Sequence, residues 1–274
     1  MYTEPTDVDV QTLVRQLERH WSLSEPSLDY LPAGFGSYHW RATGADGTRH
    51  FVSVDDLAAP QHGVADVDTV FGVLDRAFAG AAALAEDIGL GFVVAPTPDD
   101  EGRVLRRLDE RHTVRVEPYL EGLTADTGAY ESPEERRLVA TALGRLHAFP
   151  SPSGLALRDD LAIPSRPPLE EALDALDVRW NAGPFGEHTR SLLRPRADEL
   201  RRRLFAYDEA ADRTRHAPEP WVVTHGEPHR ANVIVGVLDL HGLPLDQHPN
   251  VVRHVAVERL PVGSHSQVFA PLGL

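Results

Sequence analysis

The chain has 274 residues, 42% of them hydrophobic and 25% charged, with no cysteine. That composition suits a folded globular protein and excludes a disulfide framework, a thiolate zinc site and a cysteine nucleophile. The 27 basic residues against 42 acidic ones give a net charge of −15, a field that repels polyanions and argues against nucleic acid as a partner. All 27 basic residues are arginines, so no lysine can form a Schiff base or grip a phosphate. No apolar run has the length to cross a bilayer, and the acidic start MYTEPTDVDV lacks the basic, greasy character of a signal peptide. A cytoplasmic chain with no membrane partner is therefore expected.

The spacing of Val10, Leu13, Val14, Leu17 and Trp21 predicts an amphipathic helix over about 8–21. Residues 28–54 alternate in polarity and turn on glycines, with a further turn at Ala45-Asp46-Gly47-Thr48, which predicts three antiparallel strands. An Ala-rich segment over about 67–88 carries Val70, Phe71, Leu74, Phe78 and Leu84 on one face and reads as a helix on that sheet, ended by Gly89 and Gly91. The runs FVVAP at 92–96 and RHTVRVEPYL at 111–120, with a turn at 99–102 between them, are expected to complete a five-stranded sheet. Ser132-Pro133-Glu134-Glu135 then forms a capping box with proline at the first helical position, and that helix should run to about 149. Proline-rich passages separate it from helices near 169–181, 187–193 and 195–212. A short strand is expected over 221–224, leading into a polar loop. This order places an N-terminal domain over 1–118 and a helical one over 119–274.

The chemistry is concentrated in THGEPHRANVIV at 224–235. A carboxylate beside a glycine, at Glu227, can reach a substrate hydroxyl, and an amide on the same loop, at Asn232, can take one oxygen position on Mg²⁺. The same residues also fit a polar loop whose His225 and Asn232 bond only to backbone. Upstream, Gly34 and Gly36 flank a turn between strands where backbone amides could approach phosphate oxygens, with the Ser37 hydroxyl beside them. A plain turn fits as well. Glu117, Pro118 and Tyr119 could offer backbone groups to an adenine ring, or form a sheet edge closed by proline.

Taken together, these segments resemble the aminoglycoside phosphotransferase and choline kinase-like family, whose catalytic loop follows H-G-D-x-x-x-x-N on a protein kinase-like fold. His225, Gly226 and Asn232 match that loop. LPAGFGSYHWRA at 31–42 resembles the phosphate-covering loop, VRVEPYLEG at 114–122 the linker to the second lobe, and LGRLHAF at 143–149 the family's helix before the catalytic loop. Within the family the likeness is nearest to the spectinomycin phosphotransferase branch. The resemblance implies an α+β, two-lobed fold with an antiparallel N-terminal sheet plus helix and a mostly helical C-lobe. It implies ATP-dependent phosphorylation of a hydroxyl on a small cationic acceptor, an aminoglycoside or aminocyclitol, as in antibiotic resistance, with ATP and Mg²⁺ as cofactors. Glu227 would be the base with His225 beside it. Gly34, Phe35, Gly36 and Ser37 would cover the phosphates, Glu117 and Tyr119 would edge the adenine, and Asn232 and Asp239 would hold the metal.

The sequence departs from the family pattern in four places. Glu227 stands where the family has aspartate, and a methylene moves the carboxylate by about 1 Å, a distance that can cost about 10²-fold in rate. The third strand, HFVSVDD at 50–56, has no lysine for the phosphates. Asp239 lies only seven positions past Asn232, little room for a hairpin. Beyond 236 no sustained helical stripe is visible, and the tail over 236–274 reads as atypical or truncated. These departures keep a second expectation open: a catalytically impaired, pseudokinase-like relative that binds nucleotide weakly or not at all. A third is a kinase of choline, homoserine or a sugar on the same fold.

Overall fold

The computed structural model describes residues 3–32, 36–59, 66–86, 89–120, 122–123, 129–130, 132–148, 161–163, 165–217, 221–225, 228, 230–233, 235–236 and 255–256. In chain order these form α1 (Val10–Trp21), β1 (Ser27–Leu31), β2 (Ser37–Thr43), β3 (Arg49–Asp56), α2 (Val67–Glu86), β4 (Val93–Val94), β5 (Arg106–Arg107), β6 (His112–Pro118) and β7 (Gly122–Leu123). They continue with α3 (Pro133–His147), α4 (Arg166–Asp174), α5 (Gly186–Leu193), α6 (Ala197–Arg215), β8 (Val235–Gly236) and β9 (Val255–Ala256).

Helix α1 starts at Asp9, whose carboxylate accepts the Gln11 N–H at 3.0 Å, and ends at Ser22 in the left-handed conformation (φ 54°). Its stripe of Leu13, Leu17 and Trp21 is buried with Trp40, Val52, Val54, Val114 and Val116. Those five sit at alternate positions of β2, β3 and β6, so α1 seals one whole face of the sheet with apolar side chains. The turn between β2 and β3 follows the sequence: Gly47 takes φ +82°, and Asp46 accepts the Thr48 N–H at 2.9 Å and the Thr48 hydroxyl at 2.8 Å.

The main sheet has five antiparallel strands in the order β1-β2-β3-β6-β5. Its fifth member differs from expectation. The run at 92–96 does not join it. Phe92 and Val93 are buried with Leu84 and Leu90 against Ala142 and Leu146 of α3, and β4 pairs in parallel with β9. An unbroken apolar run served by helices on its flank has no reason to enter a half-polar sheet. The strand that does is β5, two arginines set by the loop before it. There Asp99, buried, accepts the N–H groups of Glu101 (2.8 Å) and Arg103 (2.9 Å) and pairs with Arg106. The strand expected over 221–224 reduces to a single bridge at Val222.

Helix α2 packs Val70, Leu74, Phe78 and Ala82 on Leu57, Val104 and Leu105. It closes as the sequence suggests, with Gly89 at φ +71° and the Leu90 N–H returning to the Leu84 carbonyl at 3.1 Å. Helix α3 shows the expected capping box: the Ser132 hydroxyl accepts the Glu135 N–H at 3.0 Å, and the Glu135 carboxylate accepts the Ser132 N–H at 3.3 Å.

The chain divides into two compact units, one drawn from 1–158 with 221–268, the other from 159–220 with 269–274. This division differs from a boundary at residue 118, because α3 and the loop after residue 221 belong with the sheet. In the second unit, Leu173 and Leu176 pack on Ala197, with Trp180, Leu193 and Leu204 around them.

Replacing Leu17, which is fully buried beneath the sheet, with alanine should cost about 2–5 kcal/mol of stability. Urea denaturation of L17A checks this; a loss under about 1 kcal/mol would mean that α1 does not seal the sheet.

Candidate active site

The face of the sheet opposite α1 is polar and buried. Strand register builds it in rows. Ser37 of β2 faces Asp55 of β3, which faces Thr113 of β6; in the next row His39 faces Ser53, which faces Arg115. All six are at most 7% exposed. The rows lie at the start of β2, just after Gly36, which takes φ +92°, a conformation glycine adopts without strain.

Charge on this face is organised around Arg115. Its Nε donates to Glu117 at 2.5 Å and its NH1 pairs with Asp55. The Phe78 ring of α2 lies under the guanidinium, 4.3 Å from its carbon to the ring centroid. The Ser37 hydroxyl donates to Asp55 at 2.5 Å and Thr113 does so at 3.4 Å, while the Ser53 hydroxyl donates to Glu117 at 3.2 Å and lies 3.1 Å from His39 Nδ1. Burial alone would push the Asp55 carboxyl up; the Arg115 charge and the bonds from Ser37 and Arg115 outweigh it and hold the group below the usual carboxylate value.

The loop after residue 221 is fastened to the start of α3. The Tyr130 hydroxyl donates to the Pro228 carbonyl at 2.8 Å, Arg136 donates to the Tyr130 carbonyl at 2.6 Å, and Arg230 lies 3.7 Å from Glu135, the capping-box carboxylate. Residues Arg230–Asn232 form one tight 3-10 turn. His225 and Asn232 are both buried, at 4% and 7% exposure. Short strands β7 and β8 pair beyond it, Leu123 opposite Val235.

The predicted site residues therefore fall into three groups. Ser37 and Gly36 stand where the turn enters the sheet, and His225 and Asn232 stand in the loop pinned to α3. Glu117, expected at an adenine edge, turns its carboxylate into the Arg115 network, and the Tyr119 ring carries the Arg49 guanidinium at 5.3 Å. Gly34, Phe35, Glu227 and Asp239 lie outside the described residues. Among the described residues no cluster of three metal-binding side chains occurs. Asn232 contributes one amide, which alone does not make a Mg²⁺ site. Arg115, Asp55 and Ser53 were not singled out from sequence; the one signal was an arginine between two buried valines in VRVE.

Residues 31–243 match the model of the phosphotransferase enzyme family, most of the chain's length. The chain belongs to that family. The chain is 31% identical over 185 residues to protein StrN of Streptomyces griseus, covering 62% of its own length and 57% of that relative's. It thus spans less than two thirds of that relative. Its fold resembles spectinomycin phosphotransferase solved with ADP and spectinomycin, at 13% identity and a TM-score of 0.57 over 86% of this chain and 69% of the other. A similar likeness joins it to an aminoglycoside phosphotransferase from Alicyclobacillus acidocaldarius, at 15% identity and a TM-score of 0.51 over 91% and 66%. The expected α+β, kinase-like fold is borne out. Among the described residues no helix is long and apolar enough to cross a membrane.

Two outcomes follow from the site's electrostatics. Asp55, Asp56 and Asp99 are each held below the ordinary carboxylate value: burial opposes this, and bonds from Arg115, Arg111 and Arg106 respectively outweigh it. Their stabilisation is complete above the unfolded value of about 3.9 and is lost as pH falls through the lower folded values. Urea midpoints should drop steeply below about pH 4 and stay flat on this account from pH 5 to 7; a midpoint unmoved at pH 3 would contradict the pairing. Separately, Tyr130→Phe removes the bond to Pro228 and should cost about 0.5–1.5 kcal/mol, with faster hydrogen exchange confined to 221–236.

Proposed function

We propose that the chain transfers the γ-phosphoryl group of ATP to a hydroxyl of a small cationic acceptor, of the aminoglycoside or aminocyclitol class. The observation that carries this reading is the pairing, in one compact unit, of two features: a polar sheet face beneath the glycine turn, and an HGEPHRAN loop pinned to α3 with His225 and Asn232 buried. Glu227 takes the proton from the acceptor hydroxyl, the freed oxygen attacks the γ-phosphorus, and the bond to the β–γ bridging oxygen breaks, leaving ADP. His225 holds the loop from within. Gly34 to Ser37 cover the phosphates, and backbone groups at Glu117 and Tyr119 edge the adenine. Asn232 and Asp239 would hold Mg²⁺, which would offset the negative charge of the phosphates.

The acceptor class follows from charge and from kinship. A chain at −15 attracts cations to its surface, and the spectinomycin phosphotransferase of the same fold was solved with spectinomycin beside ADP. A second reading, a catalytically impaired relative, is favoured by one observation: the position facing Arg115 on β3 is Ser53, and the chain has no lysine.

Thermal unfolding with and without Mg-ATP separates the two. A binder held at about 100 times its Kd gains roughly 2.7 kcal/mol, and the first reading expects that rise together with phosphate transfer to spectinomycin or another aminocyclitol. Glu227→Gln should then lower kcat at least about 10²-fold with nucleotide binding kept. No shift with Mg-ATP would leave the impaired relative as the account.

A further inference from the structure

A groove runs along the seam between α2 and the loop before β5, with a cavity of about 540 Å³. It shares no residue with the polar sheet face. Phe71, Asp75, Ala79, Ala83 and Glu86 line it from α2, three or four positions apart and so on one side of the helix. Pro98 and Arg103 line it from the loop, and Val104 and Leu105, which are buried with Leu74 and Ala82 of α2, close its base. We infer that this groove binds a small organic cation with an apolar body, its ammonium on Asp75 and its body along Ala79 and Ala83 toward Glu86.

Shape is the first support. Alanine at 79 and 83 ends each side chain at one carbon, so the cavity stands open where a larger residue would fill it, and its volume is that of a small-molecule site. The loop wall is fixed before any ligand arrives: buried Asp99 accepts the N–H groups of Glu101 and Arg103 and pairs with Arg106, so binding has little left to order. Charge is the second. Asp75 is half-buried and, among the described residues, makes no hydrogen bond and no ion pair. Burial pushes its carboxyl above the ordinary carboxylate value, against the charges of Arg103 and Arg76, and an ammonium in the groove supplies the bond it lacks. The neighbouring cations are answered elsewhere. Arg103 lies 3.5 Å from Glu101 and is 63% exposed, Arg76 is exposed, and Arg107, stacked on Phe71, pairs with Asp68. At the other end the last turn of α2 carries Glu86 and no basic residue, so the helix C-terminus adds its own partial negative charge there.

Calorimetry on the full chain at neutral pH compares 2-phenylethylamine with 2-phenylethanol, which has the same body and no charge. Wild type should bind the amine at least about fivefold more tightly. Asp75→Asn keeps the side chain's size, removes its charge, and should bring the two ligands within about twofold of each other. Glu18→Gln removes the same charge from an exposed position on α1 and should leave the preference intact, which separates the groove from a general attraction of cations to a chain at −15. Ala83→Phe fills the groove and should abolish binding of both ligands. Amide NMR of the wild type locates the site without any substitution: the amine should shift resonances over 71–86 and 98–105. A wild type that gives no heat with the amine up to about 10 mM, equal binding of amine and alcohol, a preference unchanged in Asp75→Asn, or shifts centred elsewhere would each overturn the site. Phosphotransfer is untouched by any of these results, because Asp75 lies outside the polar sheet face and the loop after residue 221.

Discussion

The ion pair of Arg115 with Asp55 and Glu117 is the constraint around which the sheet is arranged. A buried guanidinium is tolerable only when its charge and donors are matched, and breaking such a pair by removing one partner costs about 3–5 kcal/mol. Matching it takes a carboxylate from β3, another from β6, a ring from α2 and hydroxyls from Ser37, Ser53 and Thr113. Alternation does the rest. Each strand that sends one of these groups to the polar face sends valine or tryptophan to the other, where α1 covers them. One register therefore satisfies both faces, and a one-residue slip would bury charge under α1 and expose the apolar set.

The same economy governs the loop that carries the family signature. Glu135 closes the N-terminus of α3 and faces Arg230, while Tyr130, just before the cap, holds the Pro228 carbonyl. A helix start is rigid because its cap is local, and fastening the loop after residue 221 there gives it a defined seat. The chain's kinship with StrN and its likeness to spectinomycin phosphotransferase are thus matched by an arrangement that has a physical reason of its own.

What could be read directly from sequence was local. The capping box at Ser132, the turn at Asp46-Gly47 and the stripe of Leu13, Leu17 and Trp21 each depend on residues close along the chain, and all three stand as read. What escaped was set by partners far along the chain. Arg115 reads as an ordinary polar position between Val114 and Val116 until β3 is laid beside β6, because its meaning lies in residues some sixty positions earlier. FVVAP reads as a strand because its run is short and apolar; only its packing with α3 and its pairing with β9 show that it stands outside the five-stranded sheet. Periodicity could not tell those cases apart.

The tether on Arg115 has a consequence for control. Where the paired carboxylate belongs to a movable helix, rotating that helix makes and breaks the pair, and the enzyme acquires a switch. Here both carboxylates sit on strands already locked in register, so the pair forms when the sheet forms and persists while the sheet persists. Displacing α2 would withdraw the Phe78 ring and leave Asp55 and Glu117 on their strands. The pair is therefore as permanent as the sheet that holds it.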